Sequence, residues 1–219
     1  MTGAKICGVS GEAALEAALD GGARFIGLVF FPKSPRNVSI ARAAEIAALA
    51  RGRIRIVALL VDPDDALIEA VVEDVAPDML QLHGRETADR VAEIRARFKV
   101  PLVKAVGVAS EADVAAAFAF HAPGRLADLV LLDAKPPPGS EITGGHGIPF
   151  DWRILSAVPI DTPYMLAGGL TPDNVREAIR KTGAPYVDVS SGVETAPGEK
   201  SPELIRRFLQ AVKTAKQTL

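Results

Sequence analysis

Two residues of this sequence have the types needed for a pair of proton transfers, and each closes a short apolar run. Cys7 ends the run 5–7, and Asp133 follows the apolar residues 129–132. Lys5 lies two residues before Cys7, on the same face of an extended strand, where its ammonium group would favour the thiolate. Burial of Asp133 at the end of its strand would keep a proton on the carboxyl group. The pair therefore predicts a base, Cys7, and an acid, Asp133.

Three further polar residues are candidates for substrate binding. Arg36 follows Ser34-Pro35, where the proline stiffens the loop and the guanidinium group could bind a carboxylate through two parallel hydrogen bonds. His83 closes the run 79–82, and Asp188 lies in the last apolar run, 186–189. Of these three residues, Arg36 is the one that would indicate a carboxylate on the substrate.

Each of these side chains also has an ordinary structural interpretation. A single cysteine is commonly a small buried hydrophobe, which is the alternative for Cys7. For Asp133 the alternatives are a helix cap and a salt bridge with Lys135. Arg36 could be a solvated loop residue. His83 could carry a proton, or it could be a hydrogen-bonded side chain that fills the interior of the fold. The second interpretation is favoured.

Two clusters of small residues predict a phosphate site. The clusters are Gly168 and Gly169, after the run 164–167, and Ser190, Ser191 and Gly192, after the run 186–189. Glycines let backbone N–H groups approach an anion closely, and serine hydroxyls add donors. Either cluster alone could be a tight turn, but two successive strand ends of this kind near the C-terminus of a strand-helix chain are where barrels bind phosphate.

These residues are placed by an alternation of short apolar runs and Ala-rich helical patterns. The predicted strands are residues 5–7, 25–30, 54–61, 79–83, 102–106, 127–133, 164–167 and 186–189. The predicted helices are 12–19, one capped at Ser39, 66–75, 86–98, 110–120, and two that start at Thr171-Pro172 and Ser201-Pro202. About eight such units of roughly 27 residues each predict an α/β fold, a single-domain TIM (β/α)8 barrel over residues 1–219. A doubly wound sheet is the alternative, but the glycine-rich dinucleotide motif is missing after the first strand.

The composition excludes several classes of partner. The 219 residues are 48% hydrophobic and carry a net charge of -2, and the scattered Lys and Arg residues favour neither nucleic acid nor an acidic membrane surface. No apolar run approaches the roughly 20 residues that span a bilayer. One cysteine and three histidines without ligand spacing predict no disulfide, no metal site and a reducing, cytoplasmic location.

The collected motifs resemble the phosphoribosylanthranilate isomerase family of tryptophan biosynthesis over nearly the whole chain. They are Lys5-Ile6-Cys7-Gly8, Ser34-Pro35-Arg36, Gln81-Leu82-His83-Gly84, Leu131-Leu132-Asp133, Phe150-Asp151-Trp152, Leu166-Ala167-Gly168-Gly169-Leu170 and Asp188-Val189-Ser190-Ser191-Gly192-Val193-Glu194. The resemblance implies an Amadori rearrangement of a phosphoribosyl substrate without metal or organic cofactor. It makes Asp133 the general acid on the ribose ring oxygen, Cys7 the general base at C2′, and Arg36 the ligand of the anthranilate carboxylate, with phosphate at the last two strand ends.

Other functions on such a barrel remain as alternatives. The histidine-pathway isomerase is expected to use aspartates at the ends of its first and fifth strands, whereas Cys7 and Ala105-Val106 stand there in this chain. Indoleglycerol phosphate synthase is expected to need a lysine acid and an extra N-terminal segment. A non-catalytic barrel that binds a phosphorylated ligand is the alternative from another class. The sequence leaves open whether the protein is a monomer or a homodimer. It also leaves open the role of His146 in the loop 134–149, since the family usually has a small hydroxyl residue at that position.

Overall fold

The computed structural model describes residues 1–121, 126–135, 150–158 and 162–215, and eight parallel strands form its centre. The strands are β1 (Gly3–Cys7), β2 (Phe25–Phe30), β3 (Arg55–Leu60), β4 (Met79–Leu82), β5 (Leu102–Val108), β6 (Leu129–Ala134), β7 (Tyr164–Leu166) and β8 (Tyr186–Val189). They pair in sequence order, and β8 pairs with β1 to close the barrel. The predicted TIM barrel is confirmed.

Seven α-helices pack around the barrel in the described part of the chain. They are α1 (Glu12–Asp20), α2 (Ile40–Ala50), α3 (Asp65–Asp74), α4 (Ala88–Phe98), α5 (Glu111–Phe118), α6 (Val175–Thr182) and α7 (Pro202–Thr214). Their apolar faces and the outward-facing strand residues form the main hydrophobic core. A capping box formed by Ser110 and Asp113 starts α5.

Two helices begin later than predicted, and side-chain contacts explain both differences. Helix α4 starts after Thr87, which accepts a hydrogen bond from the Arg90 N–H group, because the carboxylate of Glu86 is bound to the backbone of Asp62 and Gly84 instead. Before α6, the chain makes a further turn after the predicted start at Thr171. In this turn the hydroxyl group of Thr171 accepts hydrogen bonds from the backbone N–H groups of residues 173 and 174.

Two elements escaped prediction. A 3₁₀ helix, Trp152–Ala157, occupies the position of a helix between β6 and β7, and a two-stranded hairpin of β9 (Glu194–Ala196) and β10 (Glu199–Lys200) follows β8. Between them, the second small-residue cluster continues into a three-residue 3₁₀ turn, Ser191–Val193. A turn and a hairpin therefore separate β8 from α7, which begins at the predicted Ser201-Pro202.

The barrel interior changes from apolar to polar along its axis. Phe25, Val57, Leu129 and Met165 belong to a buried cluster inside the barrel. Side chains alternate between the two faces of a strand. The strand residues next to outward-facing core residues therefore point into the barrel, and these include the buried polar residues Lys5, Gln81 and Asp188. The polar groups lie toward the carboxyl ends of the strands, which is where barrels of this type carry their active sites.

Among the described residues, no helix has the length and apolar character needed to cross a membrane. Within the same ranges, no group of three or more His, Cys, Asp or Glu side chains is arranged to hold a metal ion.

Candidate active site

Cys7 lies at the end of β1 inside the barrel, next to a buried ion pair. Its side chain belongs to a small cluster with Val29 and Leu59, and the residue is 4% exposed. Two residues earlier, the ammonium nitrogen of Lys5 lies 3.0 Å from Oδ1 of Asp188 on β8. The predicted neighbourhood of Lys5 and Cys7 is confirmed, and Asp188, a predicted substrate-binding residue, is the partner of Lys5.

Gly27 on β2 makes room for this arrangement. A Cβ atom at this position would lie 2.9 Å from Sγ of Cys7 and 3.0 Å from Nζ of Lys5. Both distances are shorter than the separation that a side-chain carbon atom normally keeps from its neighbours in a packed protein interior. Because Gly27 has no side chain, the side chain of Lys5 can extend along the barrel axis to the thiol group of Cys7.

The charges around Cys7 act in opposite directions. Burial raises the pKa of the Cys7 thiol above its ordinary value, while the nearby ammonium group of Lys5 lowers it in part. For Lys5, burial alone would lower the pKa, but the Asp188 carboxylate and Cys7 outweigh burial and raise it. The lysine therefore stays protonated, and it is available to stabilise a thiolate at Cys7.

Asp133 lies at the end of β6, three strands from β1 around the closed barrel. Its side chain is 9% exposed, and its Oδ2 lies 3.4 Å from Nε2 of His83. Its Oδ1 accepts a hydrogen bond of 2.8 Å from the N–H group of Ala134. The alternative partner considered from the sequence, Lys135, lies near Asp113 instead. The acid candidate thus has one donor group beside each carboxylate oxygen.

Arg36 is buried, and one edge of its guanidinium group is already occupied. Its Nε and Nη2 atoms donate hydrogen bonds of 2.7 and 2.8 Å to the two carboxylate oxygens of Glu194. The third nitrogen, Nη1, makes no hydrogen bond with a described residue. A substrate carboxylate would therefore meet the Nη1 edge of a guanidinium group that Glu194 holds in a fixed orientation.

Lys200 completes this network from the hairpin. Its ammonium group donates to Glu194 and to both oxygens of Ser190, and the hydroxyl group of Ser190 donates to the carbonyl of Cys7 at 3.2 Å. Burial lowers the pKa of Lys200, although the charge of Glu194 opposes this. Burial would raise the pKa of Glu194, but Arg36 and Lys200 outweigh it and lower that pKa.

Sequence reasoning gave no role to Lys200 or Glu194. Glu194 stands in one of the quoted motifs, but its contact with Arg36 spans 158 positions of the chain. Lys200 lies in a two-residue strand outside any periodic pattern. An acidic residue two positions after the serine-glycine cluster was the one available signal, because a buried arginine needs an acidic partner.

The two predicted phosphate segments lie against each other. Gly168 and Gly169 both have positive φ angles, +83° and +61°, which turn the chain sharply after β7. A Cβ atom at Gly192 would collide with the carbonyl oxygen of Leu170, so the loops after β7 and β8 are in backbone contact. Asn174 holds the first loop through a hydrogen bond of 2.8 Å to the carbonyl of Gly169.

The serine hydroxyl groups contribute differently from the expectation. The hydroxyl group of Ser190 is used within the protein, between Cys7 and Lys200. Ser191 lies in the 3₁₀ turn with Gly192. The anion donors that these loops can offer are therefore backbone N–H groups and the hydroxyl group of Ser191. His146 and the loop 136–149 lie outside the described residues.

A closed (β/α)8 barrel with a carboxyl group, a thiol and glycine-rich loops at the carboxyl ends of its strands has the groups that an isomerase of sugar phosphates needs. Residues 4–211 match the family described as N-(5'phosphoribosyl)anthranilate (PRA) isomerase. The chain belongs to this family. It is 54% identical over 205 residues to N-(5'-phosphoribosyl)anthranilate isomerase of Paracoccus denitrificans, an alignment that covers 94% of each protein.

Solved structures of phosphoribosyl anthranilate isomerases superpose on the chain. The phosphoribosyl anthranilate isomerase of Thermotoga maritima matches with a TM-score of 0.84 and 33% identity, covering 97% of this chain and 99% of that one. A second structure holds reduced 1-(o-carboxyphenylamino)-1-deoxyribulose 5-phosphate and matches with a TM-score of 0.80 and 30% identity, with the same coverage. The resemblance inferred from the motifs is confirmed.

Proposed function

We propose that this chain catalyses the Amadori rearrangement of N-(5'-phosphoribosyl)anthranilate to 1-(o-carboxyphenylamino)-1-deoxyribulose 5-phosphate in tryptophan biosynthesis. The observation that carries the proposal is the placement of Cys7 and Asp133 at the carboxyl ends of β1 and β6, at the same end of the barrel as the two glycine-rich loops. An aldose-to-ketose shift needs one proton donor and one acceptor around a bound sugar phosphate.

Asp133 acts first in the proposed mechanism. Its carboxyl group gives a proton to the ribose ring oxygen while the bond from that oxygen to C1′ breaks, which leaves an open-chain Schiff base. The nearly buried position of Asp133 and the donors at His83 and Ala134 support this role, because they stabilise the carboxylate that forms.

Cys7 acts second, as the base that removes the proton from C2′. The electron pair of that bond forms the C1′–C2′ double bond of the enolamine. Tautomerisation then places on C1′ the proton held by Cys7 and forms a carbonyl at C2′. The C2′ hydroxyl proton released in this step balances the proton given to the ring oxygen. The ammonium group of Lys5 supports the thiolate, and Asp188 holds that ammonium group in place.

The phosphate group is proposed to lie between the loops after β7 and β8. Gly168, Gly169 and Gly192 keep the backbone open to an anion there, Ser191 adds a hydroxyl donor, and Ser190 contributes its backbone. The contact between the two loops supports a single shared site. Arg36 is proposed to bind the anthranilate carboxylate. His83 lies beside the acid, with its Nε2 atom 3.4 Å from Oδ2 of Asp133.

Replacing Arg36 with alanine is expected to raise the KM about tenfold or more with a smaller effect on kcat, because a charge-assisted hydrogen bond to substrate is lost. Steady-state kinetics measure both constants. Arg36→Lys is the matched control: it keeps the charge but loses the planar fork, so its KM should lie between the other two. An unchanged KM in Arg36→Ala would mean that the carboxylate is bound elsewhere.

The thiol of Cys7 is expected to titrate at a higher pH in the folded protein than in the urea-unfolded protein, because burial raises its pKa. Cys7 is the one cysteine of the chain, so the thiolate absorbance near about 240 nm reports this group alone once Cys7→Ala is subtracted as a blank. A folded-state titration at or below that of the unfolded chain would contradict the prediction and indicate that Lys5 and Lys200 outweigh burial.

Turnover of the substrate tests the proposed function. Phosphoribosylanthranilate can be generated in the assay from anthranilate and phosphoribosyl pyrophosphate, and the product separated and quantified. Conversion by the folded protein is expected. No conversion, together with turnover of the histidine-pathway phosphoribosyl substrate, would support that isomerase instead. Binding of sugar phosphates without turnover of either substrate would support the non-catalytic barrel.

The other sequence-based expectations belong to this proposal. The chain acts as one domain over residues 1–219, in the cytoplasm, as a monomer or a homodimer. Its partner is the small phosphoribosyl substrate, and neither nucleic acid nor a membrane takes part. The two proton transfers described above need no metal or organic cofactor.

A further inference from the structure

The side-chain amide of Gln81 is buried, and only one of its two polar atoms contacts a polar partner among the described residues. It lies on β4 inside the barrel and is 0% exposed. Its Nε2 atom lies 3.0 Å from Nδ1 of His83, whereas its Oε1 atom has no hydrogen-bond partner among the described residues. An unpaired buried oxygen is unfavourable, so a methionine or leucine would pack here at less cost. What distinguishes glutamine at this position is its contact with His83.

The contact with Gln81 determines where His83 carries its hydrogen. With the amide NH₂ group of Gln81 facing the ring, Nδ1 of His83 accepts a hydrogen bond, and the hydrogen of the ring is then on Nε2. Nε2 is the nitrogen that faces Asp133, at 3.4 Å from Oδ2. Contacts of this length between catalytic groups shorten when substrate fills a site.

Asp133 therefore stands at the end of a chain of three side chains. Gln81 orients His83, His83 presents Nε2–H to one carboxylate oxygen, and the N–H group of Ala134 serves the other oxygen. Two donors aimed at one carboxyl group stabilise its ionised form, the form that appears when the acid has given up its proton.

We propose that Gln81 and His83 are positioning residues for the general acid. Gln81 fixes the tautomer of His83, and the Nε2–H group of His83 stabilises the carboxylate left on Asp133 as the proton moves to the ring oxygen and the ring bond breaks. His83 keeps its own hydrogen throughout, and the proton released from the C2′ hydroxyl group restores the acid. This inference rests on the proposed isomerase function.

Three single variants test the inference in the turnover assay. Gln81→Met keeps the length and removes the donor, and His83→Leu removes the Nε2–H group. His83→Leu is expected to lower kcat about ten- to a hundredfold, the worth of a hydrogen bond to a charged group. Gln81→Met is expected to lower kcat about three- to tenfold, because it removes a neutral hydrogen bond and leaves the imidazole in place. In both variants KM should stay within about twofold of the wild type. His83→Gln places an amide N–H near the position of Nε2, so its kcat is expected to stay within about threefold of the wild type.

A double variant separates positioning from packing. In the His83→Gln protein no imidazole tautomer is left to fix, so adding Gln81→Met is expected to lower kcat no further. An equal loss in both backgrounds would assign Gln81 to packing and overturn the inference, as would losses that appear in KM alone. Thermal melts establish that each variant is folded. Inactive wild type would overturn the proposed function itself, whereas active wild type with unaffected variants would overturn this inference alone.

Discussion

Replacing Cys7 with alanine is expected to lower kcat by at least about 10²-fold, the usual worth of a positioned base. The thiol is the group at the end of β1 that can accept the C2′ proton, and alanine leaves the ion pair of Lys5 and Asp188 beneath it intact. KM should change little, because the phosphate and carboxylate contacts are made by other residues. Steady-state turnover of phosphoribosylanthranilate measures both constants.

The matched control for Cys7→Ala is Val29→Ala. Val29 lies in the same small cluster as Cys7 and Leu59, so this variant removes side-chain volume at the same place without removing a titratable group. Its kcat should stay within a few-fold of the wild type. Near-native turnover of Cys7→Ala would remove Cys7 from the mechanism and make Lys200 the next candidate, because burial lowers the pKa of that ammonium group.

Asp133→Asn is expected to lower kcat by at least about 10²-fold. The amide has nearly the same shape as the carboxyl group, and its oxygen can still accept the N–H group of Ala134. It cannot donate an acidic proton, so the ring-opening step loses its acid while the fold and the binding contacts remain. The expected signature is a low kcat with an almost unchanged KM.

A surface carboxylate provides the control for this variant. Asp20→Asn removes an exposed partner of Arg206 at the end of α1, and its turnover should match the wild type. If Asp133→Asn also kept wild-type turnover, the proton for the ring oxygen would have to come from another group, and the role proposed for His83 would fall with it.

The sequence was sufficient for the barrel, and it placed Cys7 and Asp133 at the ends of two of its strands. Short apolar runs locate the strands and helix caps locate the helices, and Cys7 and Asp133 are visible because each closes an apolar run. Helix starts were less predictable, because Glu86 forms a long-range ion pair with Lys104 at 2.7 Å instead of opening its helix. Residues 152–157 have the composition of a helix but form one 3₁₀ segment.

The supporting contacts could not be predicted, because they depend on which strands meet. Lys5 and Asp188 are 183 positions apart and become neighbours only when β8 closes on β1. The occupation of Arg36 by Glu194 likewise follows from the hairpin after β8. Sequence periodicity indicates which face a side chain occupies, but it carries no information on the register between strands that are distant in the chain.

The closure of β8 on β1 also sets the order of events when the chain is made. Cys7 leaves the ribosome early. Asp188 and Lys200, its neighbours in the folded protein, are made more than 180 residues later. At ordinary rates of synthesis this is a delay on the order of ten seconds or more. Until then, the first strand has no partner on one edge, and Lys5 has no counter-ion. The catalytic face is therefore completed in one late step, and a nascent chain that stops before β8 carries the thiol without its electrostatic surroundings.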